Sequence, residues 1–72
     1  MFYVYCLQSG RKLYYGFTGD LVRRCTEHGP MWKLKYYEAY TSEDDARDRE
    51  RKLKQYGQAR TRLKQRIARS LK

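Results

Sequence analysis

Apolar and polar positions alternate with a period of two at the start of the chain. Phe2, Val4 and Cys6 fall on one side of a predicted strand, and Tyr3, Tyr5 and Leu7 on the other. Ser9-Gly10-Arg11-Lys12 supplies turn residues, and Leu13-Tyr14-Tyr15-Gly16-Phe17 predicts the returning strand of a hairpin. On that strand Leu13, Tyr15 and Phe17 share one side, while Tyr14 lies beside side-chain-less Gly16 on the other. The period then lengthens. Asp20 is suited to cap the N-terminus of a short helix that Gly29-Pro30 must end. At about 100° per residue, Leu21, Arg24, Cys25 and His28 fall on one side of this helix, with Arg23 and Glu27 opposite. Arg24 and His28 therefore form an i, i+4 pair at the border of the buried face, and Arg23 with Glu27 predicts a solvated pair.

Residues 31–40, rich in aromatics around Trp32, Leu34, Tyr36 and Tyr37, predict a third strand with Lys33 and Lys35 on one face. Ser42 then opens a second helix whose first turn carries Glu43, Asp44 and Asp45, where acids complement the helix dipole. Its apolar side is Ala46, Leu53 and Gly57, and Glu50 sits inside that side, roughly 40° from Ala46. A carboxylate facing inward requires a cation, a metal ion or a raised pKa. Ion pairs with Arg47 and Lys54, or a bridge to Arg24, meet the same need. From Ala59 onward, Leu63, Ile67 and Leu71 recur every four residues, predicting a third helix whose other sides carry Arg60, Arg62, Lys64, Arg66, Arg69 and Lys72. The expected fold is a single α+β domain over residues 1–72, a small three-stranded antiparallel sheet flanked by about three helices.

Composition narrows the picture. A chain of 72 residues buries only roughly 60% of the surface its unfolded form exposes, so the core must be small. Eight tyrosines against two phenylalanines and one tryptophan make that core amphipathic, with hydroxyls that need partners or a route to the surface. A formal charge of +9 implies an anionic partner, nucleic acid or an acidic membrane surface. No apolar run approaches the ~20 residues of a membrane span, and residues from Phe2 onward read as a strand and not as a leader, so a cytoplasmic, non-membrane protein is expected. Cys6 and Cys25 have neither metal-site nor disulfide spacing and are expected as reduced thiols filling core space. Among the basic residues, Lys33, Lys35, Arg60, Arg62, Arg66 and Arg69 are the expected contacts to nucleic acid.

The order of several short motifs carries a sharper expectation. Tyr3-Val4-Tyr5 is followed by Tyr14-Tyr15-Gly16, and the stretch Gly16-Phe17-Thr18-Gly19-Asp20-Leu21-Val22-Arg23-Arg24-Cys25-Thr26-Glu27-His28 follows a G-x-T, D-L and R-x-x-x-H pattern. Trp32 to Glu38 and Ala46 to Glu50 complete the series. In this order they resemble the GIY-YIG nuclease domain, specifically its small single-domain bacterial group, similar to the N-terminal nuclease module of the excision-repair endonuclease. The resemblance implies a metal-dependent endonuclease that hydrolyses phosphodiester bonds in DNA, in the setting of DNA repair. It implies that Tyr5 and Tyr14 lie near the scissile phosphate, one of them helping to activate water. Arg24 would stabilise charge on the phosphate, His28 would assist proton transfer, and Glu50 would hold one Mg²⁺ or Mn²⁺. Hydrolysis of this kind needs an activated water, a cation at the developing charge and a way to stabilise the leaving oxygen. The chain departs from the pattern at Tyr3, where glycine is usual, and in the short link Gly29-Pro30-Met31, where relatives carry a longer basic loop. The second expectation follows from that link: a basic nucleic-acid-binding module, catalytically weak or inactive, that has lost the substrate loop after His28.

Overall fold

In the computed structural model, which describes Met1 to Lys72, the chain runs β1 (Phe2–Ser9), β2 (Lys12–Thr18), α1 (Leu21–His28), β3 (Lys33–Tyr40), α2 (Glu43–Gln55) and α3 (Gly57–Arg66). The strands pair antiparallel in the order β2-β1-β3, so the expected α+β architecture is the one found. Ser9 pairs with Lys12, which leaves Gly10-Arg11 as a two-residue hairpin loop, and Gly10 at φ 60 takes the left-handed position such loops reserve for glycine.

Directly paired residues share a face of the sheet, and the register therefore sorts the side chains. Val4 and Cys6, with their partners Phe17 and Tyr15 on β2 and Glu38 and Tyr36 on β3, face α2 and α3. There Val4, Cys6, Tyr15, Ala46, Leu53 and Leu63 form the buried cluster, an arrangement that follows from the period-two and period-four stripes of the sequence. Burying a leucine such as Leu53 contributes about 2 kcal/mol, a large share for so small a domain. Tyr3, Tyr5, Leu7, Tyr14, Gly16 and Tyr37 occupy the opposite face. Helix α1 lies on that side and none of its own residues is buried. Its ends are well made: the Asp20 side chain accepts from the Arg23 backbone N–H at 3.1 Å, and the Gly29 N–H donates to the Thr26 carbonyl at 3.1 Å.

Three details differ from the sequence expectation. Strand β3 starts at Lys33, and a bulge separates the pairs Cys6–Tyr36 and Leu7–Leu34, so Lys35 has no cross-strand partner and the alternation linking it to Lys33 is interrupted. Gly57 does not extend the apolar side of α2; it opens α3, because α2 stops at Gln55 and Tyr56 is extended. The Arg60 guanidinium stabilises this break by donating to the Leu53 and Lys54 carbonyls, both at 2.8 Å, which α2 would otherwise leave unpaired. Helix α3 ends at Arg66, and beyond it the chain continues in turns, with the Leu71 carbonyl accepting from Gln8 Nε2 at 3.0 Å. No helix is long and apolar enough to cross a membrane.

Candidate active site

The hairpin register sets Tyr5 opposite Gly16 and Tyr14 opposite Leu7, so the two phenols lie diagonally on the same face. A Cβ at Gly16 would overlap the Tyr5 hydroxyl and meet the Tyr14 ring at 3.0 Å, which is why this position holds glycine. His28, the last residue of α1, closes the group: its Nε2 is 3.3 Å from the Tyr5 hydroxyl, and its ring centroid is 4.8 Å from that of Tyr14. Trp32 flanks Tyr14 and His28 at 6.3 and 6.4 Å between ring centroids. Three of the expected residues, from β1, β2 and the end of α1, are thus in one cluster. Trp32 joins them without having been singled out, its signal being only its place a few residues past the histidine.

The two phenols are not equivalent. Tyr5 is 2% exposed and Tyr14 is 37% exposed. Burial, then the neighbouring Tyr14 phenol, pushes the Tyr5 phenol up to about 12, with the Arg24 charge opposing and Cys25 and Glu50 adding to the rise. Tyr5 is therefore a neutral hydroxyl at pH 7. The same influences put Arg24 and Glu50 within electrostatic reach of it.

Glu50 belongs to a helix that packs on the other face of the sheet, yet its own flank of α2 passes the edge of β2. Lys54 Nζ lies 5.6 Å from the Tyr14 ring centroid and 3.3 Å from Glu50 Oε2. The inward carboxylate is thus half-buried, and the cation it requires is Lys54, one helical turn away. Arg47 instead pairs with Glu43 at 2.8 Å and lies over the Phe17 ring, and Arg24 pairs with Glu27 at 3.5 Å. No group of three or more His, Cys, Asp or Glu side chains is placed to hold a metal ion. Glu50 pairs with one ammonium, that of Lys54. A divalent ion held by one carboxylate must complete its shell with water or with oxygens from another molecule.

Arg24 lines a separate polar cleft of about 260 Å³ together with Thr18, Gly19, Asp20, Arg23 and Glu27; the tyrosines, His28 and Glu50 do not line it. The remaining basic residues divide as well. Leu63 packs in the core on the α2 side, so α3 lies across the sheet from the phenols. Arg60 is held at the end of α2, Arg62 faces a cleft shared with Lys52, and Arg66 shares a cleft with Lys35 at the outer edge of β3. Lys33 and Arg69 are exposed.

A second polar cluster sits on the helix-covered face. Arg49 Nε and Nη2 donate to Glu38 at 2.9 and 3.0 Å, and the hydroxyls of Tyr36 and Tyr40 donate to the same carboxylate at 2.8 and 2.5 Å. Burial alone would raise the Glu38 carboxyl, but the hydrogen bonds from Arg49, Tyr40 and Tyr36 outweigh it and hold the group below the ordinary carboxylate range. The Tyr40 phenol is correspondingly pushed up to about 12, by burial first and then by its bond to Glu38. The spacing Tyr36, Glu38, Tyr40 marks one side of a strand in the sequence; the partner Arg49, on another element, is not visible there.

Comparison with protein-family models, with curated proteins and with solved structures gives no match.

Proposed function

We propose that the protein is a nuclease that hydrolyses phosphodiester bonds in DNA with the assistance of a divalent metal ion. The observation that supports this reading is the meeting of Tyr5, Tyr14 and His28 with the Glu50–Lys54 pair at the β2 edge of the sheet, on a strongly basic chain. The hydroxyl of Tyr14, an exposed residue, orients the attacking water. His28, whose ring lies against Tyr14, accepts the proton of that water. A neutral Tyr5 hydroxyl can donate to Nε2 or accept from it. Only the tautomer protonated at Nε2, donating to Tyr5, leaves a lone pair on Nδ1 for the proton from water. Tyr5 is thus a positioning residue, and Tyr14 and His28 are the groups that meet the reacting atoms. Arg24 stabilises the charge on the phosphate after exchanging Glu27, a weak half-exposed pairing, for the substrate. Glu50 would hold Mg²⁺ or Mn²⁺, which supplies charge neutralisation at the phosphate oxygens.

The test is cleavage of nicked, branched and single-stranded DNA with Mg²⁺, with Mn²⁺ and with EDTA. Cutting that requires metal, falls about 100-fold or more in Glu50→Ala and Arg24→Ala, and leaves salt-sensitive binding in both variants is the expected result. The observation that Lys54 already neutralises Glu50, with no group of three or more metal-ligating side chains around it, favours a second reading, a nucleic-acid-binding module without catalysis. Binding without cutting across all three substrates decides for that module.

A further inference from the structure

Three surface clefts share residues in series. The cleft at the outer edge of β3, about 440 Å³, holds Lys35 and Arg66 and is bounded by Tyr37. Tyr37 also bounds the next, of about 280 Å³, which lies against Tyr3 and reaches Gly19 and Asp20. Gly19 and Asp20 in turn line the polar cleft of Arg23 and Arg24. The three clefts therefore neighbour one another from α3 past the edge of the sheet to the start of α1, with cations in the first and the last and two tyrosines between them. Tyr37 is 54% exposed, and its ring meets that of Tyr3 edge-on at 6.1 Å between centroids. The two acids on the route are engaged: Asp20 accepts from the Arg23 backbone N–H, and Glu27 pairs with both Arg23 and Arg24.

We propose that this row of clefts is the track of a single strand of DNA, its phosphates on Lys35 and Arg66 at one end and on Arg23 and Arg24 at the other, and its bases stacked at Tyr37 and Tyr3. The inference rests on nucleic acid being the partner, and it names the form and the path. An exposed tyrosine, Tyr37, beside a partly buried one, Tyr3, between cationic ends suits unpaired bases, because the rings of paired bases are covered by their neighbours in the stack. The bulge at Lys35 turns that residue out of the ladder at the point where the track crosses β3. The track also supplies a grip on substrate outside the abbreviated Gly29-Pro30-Met31 link.

Fluorescence anisotropy of the full chain tests this, with labelled oligothymidine, a DNA duplex of equal length and oligouridine as the three probes. Expected are tighter binding to oligothymidine than to either other probe and about a tenfold loss in Tyr37→Ala with the salt slope unchanged. Recovery in Tyr37→Trp completes the stacking signature. Lys35→Ala with Arg66→Ala should reduce the salt slope by about 1.4, and Lys52→Ala on another cleft should leave the affinity as it is. Equal affinity for duplex and single strand, or an unaffected Tyr37→Ala, overturns the track; preference for oligouridine overturns the assignment to DNA. Tyr37 is exposed, so a melting temperature within a few degrees of the wild type separates lost binding from lost fold. Glu50→Ala removes cutting without touching these clefts, so failure of the track and failure of the nuclease reading are distinguishable.

Discussion

Glu38, on β3, and Glu50, beside β2, are two half-buried carboxylates at opposite edges of the sheet, and they are satisfied in different ways. Glu38 takes a bidentate guanidinium and two phenol hydroxyls, all from residues whose positions the core fixes. Glu50 takes one ammonium from a flexible side chain that is itself half exposed. The first is saturated and ties α2 to β3; the second has oxygen lone pairs to spare and a partner that can leave. The tyrosines follow the same division. Tyr36 and Tyr40 give their hydroxyls to Glu38 inside the fold, while Tyr14 is exposed and its ring lies beside His28. Identical residue types become structural or chemically available according to how many partners the surrounding elements supply.

The comparison breaks first if the two carboxylates prove equal in stability. Glu38→Ala leaves the Arg49 guanidinium unpaired in a half-buried site and is expected to cost about 3 kcal/mol. That is a fall in melting temperature of more than about 10 °C for a domain of this size. Glu50→Ala is expected to stay within about 0.5 kcal/mol. Urea unfolding followed by circular dichroism measures both, and a Glu50→Ala loss as large as that of Glu38→Ala would erase the distinction.

Gly16→Ala is the next effect in size, about 2 kcal/mol, because the added methyl must displace the buried Tyr5 ring. It should also release the Tyr5 phenol from its enclosed position. Spectrophotometric titration of the phenols can see this directly: Tyr5 and Tyr40 should ionise only near pH 12, and Tyr5→Phe should remove one of these late steps. Both phenols are raised in the folded state, so their contribution to stability is complete below about pH 10 and is lost as pH rises through about 12.

Glu38 has the opposite sign. Its folded-state value is depressed, so its contribution is present above the ordinary value near about 4.3 and is lost as pH falls through the lower folded one. Melting temperatures measured down from pH 5 should therefore fall more steeply for the wild type than for Glu38→Gln. The smallest effect is that of Lys54→Met, expected below about 0.5 kcal/mol because the pair it breaks is partly exposed. It should nevertheless tighten Mn²⁺ binding measured by calorimetry, since the ion would no longer compete with an ammonium; unchanged affinity would show that Lys54 does not guard Glu50.

The sequence by itself determined the strands apart from the start and bulge of the third, the first helix with its Asp20 cap, the placing of Tyr5 and Tyr14 on strand sides apart from Val4, Cys6 and Tyr15, and the inward angle of Glu50. These are consequences of local chemistry: side-chain period, turn residues and caps act within a few positions of the chain. Where α2 ends was not legible, because the Arg60 guanidinium that secures the break comes from the following helix. Nor was the face on which α3 docks, which separates its arginines from the phenols. The choice of Lys54 over Arg24 as the partner of Glu50, the Glu38–Arg49 clamp and the two clefts that share Tyr37 were decided only by the tertiary structure. Each depends on which elements pack against one another, and that is set by the burial of Leu53, Leu63 and the strand residues beneath them, not by any short stretch read alone.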